Sequence, residues 1–84
     1  MKIIYTRHAQ NKFQDLAELG IIVSIRRVHS IVKKPLDIDH ESDYPNKIAT
    51  GILDKNHILQ VVYKEENDII TIITFYPGRK GRYL

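Results

Sequence analysis

The chain has 84 residues, no cysteine and a net charge of +3, with 43% hydrophobic and 27% charged side chains. The length fits one domain with a modest core, spanning 1–84, and the composition is that of a folded chain, not a disordered one. The missing cysteines exclude disulfides, thiolate catalysis and Cys-based zinc sites, and no apolar run approaches the roughly 20 residues that a bilayer crossing needs.

Lys2 to Tyr5 is short and β-prone, enough for one strand. Thr6 can cap a following helix, in which Ala9, Phe13, Leu16 and Ala17 fall on one face. Leu19-Gly20 ends it, because Gly20 is free to take the left-handed conformation at a helix C-terminus. After the Ile21-Ile22 link, Ser24 starts a second helix with Ile25, Val28, Ile31 and Val32 on its apolar face. Lys33 and Lys34 suit the negative end of the helix dipole, and Pro35 stops it.

Asp37 to Asn46 reads as a loop or irregular strand, with Asp37, Asp39, Glu41, Asp43 and His40. Lys47 to Leu53 is a strand, Asp54-Lys55-Asn56 a turn, and His57 to Lys64 a second strand. Glu65 to Asp68 is the next turn. Ile69 to Tyr76 is the most apolar strand and belongs inside the sheet, and Pro77-Gly78 should break it. The expected class is therefore α+β in the order β-α-α-β-β-β, with two helices on one face of a mainly antiparallel sheet. The exposed edge of so small a sheet needs covering, and a homodimer is one way to cover it.

The charge is unevenly placed. Residues 1–76 hold ten basic and ten acidic groups, so the whole excess comes from Arg79, Lys80 and Arg82 near the C-terminus. Such an edge suits a phosphate backbone or an acidic protein partner, with a solvated tail as the plain alternative.

Two stretches carry a family resemblance. Tyr5-Thr6-Arg7-His8-Ala9, a helix, Gly20-Ile21 and a second helix ending at Pro35 make up the first. The second comprises Leu59-Gln60-Val61-Val62-Tyr63 and the run from Ile73 through Tyr76-Pro77-Gly78-Arg79-Lys80-Gly81-Arg82-Tyr83. Together they resemble a family of small proteins placed with the RelE/ParE-like toxins, and the C-terminal part is similar to the BrnT toxins. The resemblance spans nearly the whole chain. It implies a RelE-like fold and the toxin part of a type II toxin-antitoxin pair whose partner is a cognate antitoxin, while the lack of a visible targeting segment or membrane-crossing run makes a cytoplasmic protein the expectation. The implied activity is metal-independent cleavage of RNA, free or on the ribosome, with no cofactor. The chain departs from the family pattern at Lys12 and Leu19, where arginine is usual. A non-catalytic protein-interaction or RNA-binding module derived from such a toxin stays open beside the endoribonuclease.

Metal-free RNA cleavage needs a base for the 2′-hydroxyl, an acid for the leaving oxygen, and cations for the crowded phosphate. Arg79 and Arg82 fit the last role through their planar fork, and Lys80 stands beside them. Tyr83 can stack on a base or give a proton. His8 suits proton transfer because imidazole titrates near neutrality, and it equally suits a structural role at the helix start. Lys12, Arg26, Arg27, Lys80 and Tyr76 are the candidate RNA contacts, although Arg26 and Arg27 also fit a solvated helix face. His8, His29, His40 and His57 form no close ligand pair, so no metal site is expected. Ser24, Ser30 and Ser42 lack the setting of a nucleophile.

Overall fold

A computed structural model of the chain describes residues 2–83, with side chains described from Lys2 to Gly81. The order is β1 (Lys2–Tyr5), α1 (Arg7–Glu18), α2 (Ile25–Lys33), β2 (Asp37–Asp39), β3 (Lys47–Ile52), β4 (His57–Glu66), β5 (Ile69–Arg79) and the short α3 (Lys80–Tyr83). The protein is α+β. Its five strands form one mixed sheet in the order β1-β5-β4-β3-β2, in which only β1 and β5 run parallel. Among the described residues, no helix is long and apolar enough to cross a membrane.

Local chemistry explains the helix bounds. Thr6 Oγ1 accepts from Ala9 N at 3.1 Å and starts α1, and Ser24 Oγ accepts from Arg27 N at 3.0 Å and starts α2. α1 ends in a Schellman turn, with Ile21 N donating to Leu16 O and Gly20 N to Ala17 O, both at 2.9 Å. Gly20 sits at φ +82°, where a side chain would be strained.

One face of the sheet carries both helices. Ala9, Leu16 and Phe13 of α1 and Val28, Ile31 and Val32 of α2 pack on Ala49, Leu59, Val61, Tyr63, Ile70, Ile72 and Phe75. These sheet residues recur with the two-residue period of a strand, so they share one side. The aromatic centre is Phe13 on Phe75, ring centroids 4.7 Å apart. Gly51 lets α2 approach β3: a Cβ there would lie 2.6 Å from Ile31 Cγ1.

Several expectations change. Ala17 and Ile25 are exposed, so each helix buries a narrower stripe than its pattern predicts. Asp37–Asp39 is a short edge strand on β3. The expected turn from Glu65 shrinks to Asn67-Asp68, both with positive φ (51° and 63°), which is the twist a two-residue hairpin needs. Most consequentially, β5 does not break at Pro77-Gly78 but continues to Arg79. β1 ends opposite Ile72, so among the described residues no strand pairs with this later stretch of β5 on that side. A strand edge tolerates a proline that lacks a ladder N–H.

Candidate functional site

The β3–β4 turn is organised by one carboxylate. Asp54 Oδ1 accepts from Asn56 N at 2.8 Å and His57 N at 2.9 Å, and the His57 ring nitrogen Nδ1 lies 2.9 Å from the same oxygen. Backbone bonds from Leu53 N and Asp54 N to His57 O close the loop. Asp54 thus sets both the turn and the imidazole. The Asn56 N–H, then the His57 ring, hold its carboxyl below the usual carboxylate range.

Across the ladder, His57 stands opposite Arg79. Lys80 N donates to Asn56 O at 2.9 Å, which ties the start of α3 to the turn. Between them opens a cleft of about 750 Å³ lined by Lys55, Asn56, His57, Arg79, Lys80 and Gly81. Among the described residues, no carboxylate lies within 4.0 Å of the Lys55, Arg79 or Lys80 side-chain nitrogens. Among the described residues, Asp54 is the one acidic group bonded to a lining residue, and it engages His57. Three unneutralised cations at one strand end make a ready receptor for phosphate oxygens.

The structure assembles only part of the expected site. Arg79 and Lys80 meet in the cleft, while the side chains of Arg82 and Tyr83 lie outside the described residues. His8 does not line the cleft: its Nε2 lies 3.0 Å from Thr74 Oγ1. Thr74 precedes Arg79 by five residues, about 16 Å at the rise of a strand. The structure does not bring His8 and Arg79 together, because α1 starts beside the middle of β5 and not beside its end. Lys12, farther along α1, does not line the cleft either. Arg26 and Arg27 border a separate depression of about 180 Å³ with Ser24 and Ser30, at the start of α2. Tyr76 pairs with Gln60 and is three residues from Arg79, so it projects from the opposite face of the sheet.

His57, Asp54 and Lys55 escaped the sequence reading. The signal for the pair was the Asp-Lys-Asn-His run, in which an Asp capping a turn sits three residues before a histidine. Nothing local announces its pairing with Arg79. The ladder slips between Val62 and Tyr63, leaving Ile73 as a bulged residue, and without this slip His57 would face Gly78.

Compared with known proteins, the chain matches no family model, no curated protein and no solved structure.

Proposed function

We infer that this chain is a toxin of the RelE/ParE-like kind, an endoribonuclease that engages RNA at the cleft between the β3–β4 turn and the end of β5. The observation that carries the reading is the set of three cations, Lys55, Arg79 and Lys80, gathered without carboxylate partners beside an oriented imidazole. A ribonuclease of this kind requires phosphate-binding cations and a proton-transfer group in one place. The chain order of one strand, two helices and then four strands, with the helices on one face of the sheet, supports a RelE-like fold. A cognate antitoxin would neutralise the protein by covering this basic end.

The test is growth after induced expression, with cellular RNA examined by primer extension. The reading expects growth arrest with new 5′ ends in RNA, both lost in the Arg79→Ala/Lys80→Ala variant. Arrest without RNA cleavage would replace it with the second reading, a protein-binding module. That reading draws on the apolar side chains around the α1–α2 connection, Leu19 at 75% exposure, Ile22 at 74% and Ile25 at 57%, which suit a protein partner.

A further inference from the structure

We propose that His57 is the group that takes the 2′-hydroxyl proton in RNA cleavage, with Asp54 as its positioning residue. The proposal rests on the ribonuclease reading and goes beyond it by assigning the proton-transfer step to the β3–β4 turn and the substrate to strands bearing a ribose 2′-hydroxyl.

Asp54 anchors the arrangement. Its carboxylate can only accept hydrogen bonds, so at 2.9 Å and 3.2 Å from its two oxygens the His57 Nδ1 must carry a proton. In the neutral ring that leaves Nε2 with the lone pair. The same carboxylate holds the His57 and Asn56 backbone N–H groups, so ring and turn are fixed by a single anchor. The ring keeps 33% exposure, which leaves it reachable, and it lines the cleft together with Arg79 and Lys80. A base and phosphate-binding cations thus share one cleft, with the carboxylate that orients the base bonded behind it, the arrangement that general-base catalysis requires.

In the step, Nε2 takes the proton of a ribose 2′-hydroxyl as that oxygen bonds to the neighbouring phosphorus. The bond from phosphorus to the 5′-oxygen breaks. The departing oxygen takes a proton from water, and the hydroxide so formed is neutralised when the imidazolium releases its proton. One strand end becomes a 2′,3′-cyclic phosphate and the other a 5′-hydroxyl, with no net change in protons or electrons. Arg79 and Lys80 balance the charge that gathers on the phosphate oxygens. A strand of DNA, which lacks the nucleophile, binds the same cations and stays intact.

The experiment uses the full chain with an end-labelled messenger RNA, free and in a translating extract, and an all-deoxy strand of the same sequence. Cleavage rate, product ends and strand affinity are measured for the native chain and for His57→Gln, His57→Arg and Asp54→Asn. His57→Gln keeps a donor for Asp54, and its melting temperature should match the native one. The expected result is cyclic phosphate ends from the native chain and a rate lowered about 10²- to 10⁴-fold in His57→Gln, with affinity within twofold. His57→Arg keeps a cation but no base, and it should be equally slow. Asp54→Asn should lower kcat and leave KM unchanged. Its loss should stay well below the roughly 10⁴-fold of a buried carboxylate–histidine pair, because Asp54 is 51% exposed. Native cleavage with His57→Gln or His57→Arg at full rate would overturn the role of His57 and leave the ribonuclease reading standing. No cleavage by the native chain on either RNA would overturn both.

Discussion

The two ends of β4 hold the same residue types in opposite circumstances. At its C-terminal end, where Asn67-Asp68 turns the chain into β5, Lys47 Nζ lies 3.3 Å from Glu65 and Lys64 Nζ 3.6 Å from Glu66. At its N-terminal end, Lys55, Arg79 and Lys80 gather around a cleft with no such partner among the described residues, and the nearby Asp54 is engaged with His57. Charge neutrality at one end leaves nothing for a ligand to complete. Unbalanced charge at the other end costs some self-repulsion, which a bound anion would relieve. The two ends therefore differ in that one pairs its charges within the fold and the other leaves its cations without a carboxylate among the described residues.

The largest expected effect falls on the core that both ends share. Phe75 is fully buried on β5 against Phe13, and Phe75→Ala should cost about 3–5 kcal/mol. Against a total on the order of 5–10 kcal/mol for a domain of this size, that leaves little of the folded state. Chemical denaturation would measure the loss, and both ends should fail together. Next comes Arg79→Ala/Lys80→Ala. It should weaken single-stranded RNA by tenfold or more while changing stability by no more than about 0.5 kcal/mol. Each cation removed should also flatten the plot of log affinity against log salt by about 0.7. A variant that loses affinity with an unchanged salt slope would place the phosphates elsewhere.

The mirror-image change, Lys64→Ala/Glu66→Ala, removes a pair whose members are 46% and 69% exposed. Such pairs contribute about 0–1 kcal/mol, so melting should shift slightly and RNA affinity should not move. A fall in affinity equal to that of the Arg79 variant would erase the distinction between the two ends. The smallest effect is confined to alkaline pH. The Tyr5 hydroxyl is buried with no hydrogen-bond partner among the described residues, and burial pushes its pKa up from 10.0 to about 12. A raised folded value means that the unfolded chain loses this proton first. The contribution is intact below about pH 10 and is lost as pH rises toward 12. Phenolate absorbance followed alongside circular dichroism would check it: Tyr5 should ionise late, together with unfolding.

Much of the frame was legible because it is written locally. Thr6, Ser24 and Gly20 mark helix ends through backbone hydrogen bonds that depend on residues three to five positions away. β1 and the first half of β5 alternate in step with burial, whereas β3 and β4 bury consecutive residues, and the basic excess at Arg79 and Lys80 is visible from charge alone. The site was only half legible because its other half is a matter of register. Asp54 and His57 acquire their place beside Arg79 through the bulge at Ile73, a slip decided by how Phe75 and Ile72 both reach the core. Pro77 looked like a strand end because sequence does not say which side of β5 lacks a neighbour. The chemistry of His8 suits proton transfer wherever it lies, and only the topology shows that it sits against Thr74.

The central claim is that the N-terminal end of β4 receives the phosphates of RNA. Backbone amide spectra of the isotope-labelled chain, recorded while a short single-stranded RNA is added, test it most directly. The account predicts shifts concentrated at Lys55, Asn56, His57, Arg79, Lys80 and Gly81, weakening with salt, and amides of Lys64 to Asp68 that stay in place. Shifts centred on Arg26 and Arg27, or on the α1–α2 connection with the cleft unmoved, would contradict it.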